Sequence, residues 1–301
     1  MIAEAFSTRE KMKKRLTEIK FRNQDNPESY FDIVKIEELL ARDLNHDIGK
    51  NHLVKFYIIL FTYEGHGYHT IDFTDYQYSN GTVLLIRKDQ IHKFHRSPGV
   101  KGYLLVFTEE FIIGHLNKME ALKTMQLFND SLSFPKIEFN NRQEFDDFMI
   151  LIKHVELEYQ AMDDFSIGIT RSVLHIVITK LFRIKAKAGD FVEEKKYLSQ
   201  FLAFQKLVEE DCFKSRKVGY YAEQLGVSAK TLNNITYDVV NVSAKSYIDE
   251  RTIMQIKRLL STNDYSIKEI AYLAGFSDPT NFYKYFKKFA GSTPEVFRQA
   301  F

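Results

Sequence analysis

Near the C-terminus, the stretch Ser266–Arg298 reads SIKEIAYLAGFSDPTNFYKYFKKFAGSTPEVFR, and its residues predict where two helices begin and end. Ser266–Glu269 has the spacing of a capping box, in which each side chain bonds the other residue's backbone N–H, so a helix begins there. Gly275 can adopt the left-handed conformation that ends a helix and turns the chain sharply. Asp278–Pro279 combines a capping carboxylate with a proline at the first helical position, so a second helix begins at once.

Each of the two predicted helices has one apolar face. In the first helix this face consists of Ile267, Ile270, Ala271 and Ala274. In the second, three phenylalanines lie opposite a polar and basic face: Phe282, Phe286 and Phe289 against Thr280, Asn281, Lys284, Lys287 and Lys288. Such a pair is typical of a helix-turn-helix, whose second helix enters the DNA major groove and hydrogen-bonds base edges. The alternative is a helical hairpin whose lysines form only a solvated face.

A family resemblance favours the first interpretation. The stretch resembles the second helix-turn-helix of the AraC-type (arabinose-regulator-like) family of bacterial transcription regulators. The positions that carry the resemblance are Ile267, Ile270, Ala271, Gly275–Phe276, Phe282, Phe286–Lys287, Gly291, Thr293–Pro294 and Phe297–Arg298. The resemblance covers residues 197–300 in detail and residues 51–187 more loosely. It implies an all-α double helix-turn-helix at the C-terminus and a cupin-like barrel, which binds a small effector, in the N-terminal part.

Composition limits the class of protein. A chain of 301 residues is long enough for two or three domains, and 45% hydrophobic residues are more than a disordered chain contains. Cys212 is the one cysteine, so no intrachain disulfide can form, and we expect a reducing cytoplasm. The first 20 residues lack the apolar segment of a signal peptide, and the apolar run Ser172–Phe182 is too short to span a membrane. The net charge of +2 identifies no partner by itself.

The N-terminal half has the pattern of short β-strands. Leu53–Phe61 reads as one buried strand, and His69–Phe73 alternates between apolar and polar residues. Two further runs, Val83–Ile86 and Gly102–Phe107, each follow a turn signal. Strands of this length and spacing predict an all-β barrel or a double-sheet jelly roll.

Tyrosines of this β region are candidate effector contacts, because a tyrosine offers both stacking area and a hydroxyl. The predicted contacts with a sugar or similar effector are Tyr57, Tyr68, His69 and Tyr103. The alternative is that these aromatic residues only pack within the strands.

Four histidines of the same region raise the question of a metal. His66 and His69 are three residues apart, as are His92 and His95. Enzymatic cupins usually have two histidines one residue apart and a glutamate a few residues later, and neither feature is present. A metal site needs three or more converging ligands. We therefore expect no metal, no other cofactor and no enzyme, and we retain a metal-dependent cupin enzyme fused to a DNA-binding tail as an alternative.

Two long helices follow the β region. Asn141–Tyr159 and a second helix through Ile184 each have one apolar side, part of which should cover the barrel. In the family, helices at this position also form a dimer interface, so we expect a homodimer. The predicted domains are residues 1–187, with the helical hairpin at 141–187, a linker at 188–196, and the DNA-binding domain at 197–301.

A first, weaker helix-turn-helix precedes the second. Gly226–Val227 forms its turn, and Ser228 caps its second helix. By register with the family's motif, Lys230, Asn233 and Asn234 face the groove. This unit differs from the family's usual pattern at two places. Thr236–Asp238 occupies the positions of a Phe-Lys-Lys-like run, and Asn241–Val242 occupies those of a Gly-Lys-like pair.

A connecting helix, Ser243–Leu260, separates the two units. At 1.5 Å per residue it spans roughly 27 Å. That length can hold two recognition helices about one DNA turn, roughly 34 Å, apart. The sequence therefore predicts a cytoplasmic transcription regulator that binds double-stranded DNA in two successive major grooves, does not enter a membrane, and is modulated by an effector. A regulator without any effector remains a further alternative.

The predicted DNA contacts divide into two groups. The residues expected to read bases are Lys230, Asn233, Asn234, Thr280, Asn281 and Lys284. The residues expected to contact phosphates, which position the protein without specifying sequence, are Ser228, Ser277, Lys287 and Lys288.

Overall fold

The computed structural model describes residues 18–21, 23, 30–41, 48–139, 141–161, 163–189, 196–261 and 265–300. Contacts within the chain divide the described residues into two compact units, 18–189 and 196–300. The first unit combines β-sheets and helices, and the second is built from helices. Residues 190–195 of the predicted linker lie outside the described residues. Within the described ranges, no helix is long and apolar enough to cross a membrane.

The strands of the N-terminal unit form two five-stranded sheets. They are β1 (Glu18–Ile19), β2 (Phe31–Lys35), β3 (His52–Val54), β4 (Tyr57–Glu64), β5 (Gly67–Ile71), β6 (Thr74–Tyr78), β7 (Thr82–Ile86), β8 (Ile91–Phe94), β9 (Lys101–Phe107) and β10 (Lys136–Glu138). The first sheet has the order β1-β3-β8-β5-β6 and the second β10-β7-β4-β9-β2. Strands β1 and β3 pair in parallel, and the other pairs are antiparallel. The expected double-sheet β domain is confirmed.

The run predicted as one strand, Leu53–Phe61, is divided between two sheets. Its first residues belong to β3 in the first sheet, and the chain bends at Lys55–Phe56 before β4 begins in the second. Lys55 forms ion pairs with Glu18 and Asp89 at the bend. The prediction of one strand is wrong because the apolar residues continue through the bend and leave no break in the pattern.

Strand β4 contributes to two separate cores. Ile58 and Leu60 lie in the core between the two sheets. Tyr57, Ile59 and Phe61 point to the opposite face, because successive side chains of a strand alternate, and they belong to a second core that includes the helices. The second sheet is therefore buried on both faces.

Five α-helices and a short 3-10 helix, Ile113–His115, lie within the described part of the N-terminal unit. The α-helices are α1 (Ile36–Ala41), α2 (Glu109–Ile112), α3 (Lys118–Leu127), α4 (Arg142–Ala161) and α5 (Ser166–Lys187). The long helices α4 and α5 pack on the second sheet through residues such as Phe148, Ile152, Leu174 and Leu181. Their apolar sides cover the sheet as the sequence predicts.

Seven helices form the described part of the C-terminal unit: α6 (Leu198–Asp211), α7 (Val218–Gln224), α8 (Ala229–Val240), α9 (Ala244–Leu260), α10 (Ile267–Leu273), α11 (Pro279–Ala290) and α12 (Pro294–Ala300). Phe204 of α6 lies between α7 and α9, with its ring centroid 5.8 Å from that of Tyr221 and 5.6 Å from that of Tyr247. Phe286 of α11 packs on Phe297 of α12 at 5.8 Å. These aromatic contacts hold the short helices together.

The predicted helix boundaries of the C-terminal unit are present. Ser266 and Glu269 form the full capping box of α10. Asp278 caps α11, with Pro279 as its first residue. Gly275 has a φ angle of 76° and connects the two helices. The local signals in the stretch Ser266–Arg298 thus produce the helix-turn-helix that they predict.

Candidate nucleic-acid interface

The C-terminal unit contains two helix-turn-helix units with matching geometry. The first is α7–α8, with its turn at Gly226, and the second is α10–α11, with its turn at Gly275. Helices α8 and α11 both have 12 residues, and each ends at a left-handed residue, Asn241 or Gly291. Because α8 begins at Ala229 and α11 at Pro279, each position in α8 corresponds to the position 50 residues later in α11.

Helix α11 has a buried aromatic face and an exposed basic face. Phe282 and Phe286 are fully buried. The exposed residues, which we call the basic face, are Thr280, Asn281, Lys284, Lys287 and Lys288. Lys284 and Lys287 form no ion pair with any residue that the structure describes, and the Lys288 ammonium lies 4.9 Å from the centroid of its neighbour Phe289. The basic face therefore presents three lysines to solvent, where phosphates can pair with them.

The corresponding face of α8 is nearly without positive charge. Its exposed residues include Lys230, Asn234, Tyr237 and Asp238. Tyr237 corresponds to Lys287 and Asp238 to Lys288, so a neutral ring and a carboxylate replace two lysines. Tyr237, 54% exposed, is absent from the predicted reading set, although its spacing of seven residues from Lys230 places it on the same face.

The side-chain amide of Asn233, which the sequence predicts to face the groove, is hydrogen-bonded within the protein. Its Nδ2 donates to the carbonyl of Ala229, 3.1 Å away in the preceding turn. Its Oδ1 accepts from the backbone N–H of Ala244 at 3.0 Å. That N–H opens α9 and has no partner within its own helix, so Asn233 caps α9 from outside. The corresponding residue of the second unit, Tyr283, likewise bonds Glu295 at the start of α12.

The two serines predicted to contact phosphates have different surroundings. Ser228 is exposed, and its Oγ accepts from the backbone N–H of Thr231 at 3.0 Å, which makes it the cap of α8. Ser277 is exposed and precedes the cap of α11, a role that belongs to Asp278, whose Oδ1 accepts from Thr280 at 2.8 Å. Both hydroxyls therefore lie at helix N-termini, where anions are favoured.

The adjacent residues Asn233 and Asn234 provide a test of whether Asn233 caps α9 or reads bases. Asn233→Ala should lower the free energy of unfolding by about 1 kcal/mol, because Ala244 N–H loses its acceptor, and should leave base preference unchanged. Asn234→Ala should leave stability within about 0.5 kcal/mol and relax preference at one base pair by about 1–3 kcal/mol. Urea unfolding and binding to a set of single-base site variants measure the two quantities. The reverse pattern would restore Asn233 to the reading set.

The four predicted effector contacts are not brought together. Tyr57 stacks on Phe107, with ring centroids 5.6 Å apart, in the core between the second sheet and the helices. Tyr103 faces the same core, and its hydroxyl donates to Glu156 at 2.9 Å. Burial raises the pKa of that hydroxyl.

The other two predicted contacts belong to strand β5 of the first sheet. His69 points into the unit and is fully buried, and Tyr68 is half-exposed on the opposite face. The four residues therefore do not line one pocket, contrary to the expectation from sequence. Tyr57 and Tyr103 could not be placed correctly from the sequence, because both faces of the second sheet are apolar and the pattern does not show which face lines the core between the sheets.

His69 lies in a buried pair of histidines. Its Nε2 is 3.2 Å from Nδ1 of His92, and its ring centroid is 4.6 Å from that of Phe94. Burial, then the neighbouring His92 and His95, hold the pKa of His69 well below its ordinary value. Its Nδ1 has no hydrogen-bond partner among the described residues. His69 therefore carries a neutral ring with one nitrogen available to a polar group.

The four histidines considered as metal ligands do not converge. His66 is exposed, and Nε2 of His95 lies 2.7 Å from Thr70 Oγ1. Across the described ranges, no group of three or more histidine, cysteine, aspartate or glutamate side chains is arranged to hold a metal ion.

Two family models match this chain, one in each of its two compact units. Residues 221–300 match the family model for a helix-turn-helix domain, and residues 34–143 match that for an AraC-like ligand binding domain. Together the two matches cover more than half of the 301 residues, and the chain belongs to the AraC-type family of transcription regulators. It is a DNA-binding transcription regulator with an N-terminal ligand-binding domain.

Individual relatives are also regulators. The chain is 22% identical over 246 residues to the transcriptional activator RhaS of Salmonella arizonae, covering 81% of this chain and 85% of RhaS. It is 32% identical over 103 residues to the melibiose operon regulatory protein of Escherichia coli strain K12, covering 34% of this chain and 33% of that protein. Among solved structures, it resembles fatty-acid-bound ToxT from Vibrio cholerae with 16% identity, a TM-score of 0.44, and coverage of 93% and 97%.

Proposed function

We propose that this regulator reads two successive major grooves, one with α8 and one with α11. The observation that supports the proposal is that the two helices, connected by α9, have equal length and expose residues at corresponding positions. Helix α9 has 17 residues and a length of about 25 Å at 1.5 Å per residue. A spacer of this length suits two recognition helices on one side of DNA, roughly 34 Å per turn.

Base readout is proposed for the exposed polar residues of both helices. In α11 these are Thr280, Asn281 and Lys284, and in α8 they are Lys230, Asn234 and the added Tyr237. Phosphate contact is proposed for Lys287 and Lys288 and for the two serines at helix starts, Ser228 and Ser277. Asn233 is excluded from the set because its amide bonds within the protein.

Selection of binding sites from random double-stranded DNA tests this proposal. The expected product is a bipartite site with two motifs about 10 base pairs apart, one for each recognition helix. A single motif would mean that one unit alone reads sequence. An absence of any enriched motif would overturn sequence-specific binding by this chain.

We also propose that a small polar effector, such as a sugar, binds between the two sheets and contacts His69. The match to a ligand-binding domain supports an effector, and the buried Nδ1 supports His69, because an unpaired buried polar atom indicates a missing partner. Repeating the DNA-binding assay with candidate sugars and polyols tests the proposal. An effector should shift affinity for the selected site, whereas no shift with any compound favours a regulator without an effector.

We do not propose an enzymatic activity. The named relatives are transcriptional regulators, and the positions of His66 and His95 give no support to the metal-dependent cupin alternative. We propose that the protein acts in the cytoplasm, where a bacterial transcription regulator meets its DNA.

We further propose that the protein is a homodimer through α4 and α5. The exposed large apolar side chains of these helices include Ile150 and Leu157 on α4, and Ile169 and Ile176 on α5, between 41% and 61%. The ion pairs Asp147–Lys180 and Glu144–Lys187 show that α4 and α5 run antiparallel. An apolar patch of this kind, flanked by charged residues, favours burial against a second copy.

Charge introduced into this patch should separate the subunits. The double variant Leu157→Glu with Ile176→Glu is expected to sediment as a monomer at tens of micromolar, where the wild type sediments as a dimer, because a buried unpaired carboxylate is costly. Met119→Glu on α3, also 46% exposed, is the control and should remain dimeric. A monomeric wild type at this concentration would contradict the proposal.

A further inference from the structure

The segment between α6 and α7 lies directly against the turn of the second helix-turn-helix. A Cβ atom placed on Gly275 would lie 2.4 Å from the carbonyl oxygen of Phe213. This distance is much shorter than any ordinary contact between such atoms. The first helix-turn-helix is thus connected to the second not only through α9 but also through the segment that precedes α7.

Arg216 provides the hydrogen bonds of this contact. Its Nη1 donates to the carbonyl of Ala274 at 2.7 Å, and its Nη2 lies 3.5 Å from the carbonyl of Gly275. Ala274 is the C-cap residue of α10, where the last carbonyls have no partner within the helix and a positive charge is favourable. Arg216 therefore caps the C-terminus of α10 from outside.

The guanidinium of Arg216 also stacks on aromatic rings of the second unit. It lies 4.0 Å from the ring centroid of Phe276, at the turn, and 5.6 Å from that of Tyr285, on α11. Tyr285 in turn donates to Asp249 of α9, with its hydroxyl 3.1 Å from Oδ1. The contact therefore reaches the recognition helix α11 and the connecting helix α9 as well as the turn.

These contacts connect the two units at a second place. Both helix-turn-helix units already pack on α9, which has buried residues along its length. A second connection, from Arg216 in the segment that enters α7 to the turn before α11, closes a ring of packed elements. In such a ring the separation and the rotation of α8 relative to α11 are fixed together.

We propose that Arg216 is a positioning residue that sets the spacing of the two DNA half-sites. It touches α10, the turn and α11, and acts on DNA through the relative placement of the recognition helices. This inference rests on the proposed reading of two grooves. Because one extra base pair rotates a half-site by about a tenth of a turn, a rigid pair of helices discriminates strongly between spacings.

Binding to the selected bipartite site, and to versions with one base pair inserted or deleted between the half-sites, tests the proposal on the full chain. Wild type should bind the altered spacings at least about tenfold more weakly than the selected one, a loss comparable to that from a mismatched base pair. Arg216→Ala should reduce this ratio to about threefold or less. Lys217→Ala, which removes an exposed charge from the neighbouring position, should keep the wild-type ratio.

Two outcomes separate the possible failures. If wild type selects a single motif or shows no preference for spacing, the reading of two grooves fails. If wild type discriminates and Arg216→Ala loses affinity equally for all spacings, Arg216 serves only stability and the inference is overturned. Should Arg216→Ala lose its helical circular dichroism, Arg216→Lys decides by the same ratio, because lysine keeps one donor and loses the fork and the planar stack.

Discussion

Gly275→Ala is expected to lower the free energy of unfolding of the C-terminal unit by about 3 kcal/mol or more. The left-handed φ of 76° costs an L-residue about 1–2 kcal/mol. The new Cβ would also meet the Phe213 carbonyl at 2.4 Å, and a backbone atom cannot move aside as a flexible side chain can. Relief requires the segment that carries Arg216 to shift, which also weakens the cap of α10.

Gly226→Ala is the matched control, because Gly226 occupies the same turn position in the first unit. Its φ is 65°, and nothing lies within 4 Å of the added Cβ. We expect it to cost only the conformational part, about 1–2 kcal/mol. Urea unfolding of the full chain, with hydrogen exchange in residues 265–300, measures both variants. Equal costs at the two glycines would show that the Phe213 contact relaxes without penalty.

Features that depend on neighbouring residues could be predicted from the sequence. The capping box at Ser266, the proline start of α11 and the turn at Gly275 each involve atoms within one or two turns of helix. The basic face of α11 follows from helical spacing alone. For these features the local preferences and the fold agree, as they do in most natural sequences.

Features that depend on distant partners could not be predicted from the sequence. The acceptor role of Asn233 requires Ala244, eleven residues away and across a turn, whereas helical spacing alone leaves its side chain pointing outward. Tyr57 and Tyr103 alternate correctly along their strands, but both faces of β4 are apolar, so alternation does not identify the inner face. The position of His69 near His92 depends on the pairing of β5 with β8, which no local pattern specifies.

Replacing Lys284, Lys287 and Lys288 together with glutamine is expected to abolish detectable DNA binding at physiological salt, a loss of about a thousandfold or more. Lys284 should contribute about 1–3 kcal/mol of base recognition, and each tenfold in affinity corresponds to about 1.4 kcal/mol. Lys287 and Lys288 should each add about 0.9 to the slope of log affinity against log salt. Lys287→Ala alone should therefore weaken binding to all sequences and flatten that slope by about one unit. Fluorescence anisotropy over a salt series measures both quantities.

Corresponding changes in the first helix-turn-helix should act differently, because α8 has one exposed lysine, Lys230, and has Tyr237 and Asp238 at the positions of Lys287 and Lys288. Lys230→Gln with Asn234→Ala should relax preference in one half-site and flatten the salt slope by no more than about one unit. Asp238→Lys supplies the charge that Lys288 supplies in the second unit, and should raise affinity for all sequences and steepen the slope by about one unit. If the double variant Lys230→Gln with Asn234→Ala abolishes binding as completely as the triple variant of α11, the two helix-turn-helix units contribute equally to DNA affinity. If Asp238→Lys leaves affinity and slope unchanged, position 238 of α8 does not lie beside a phosphate.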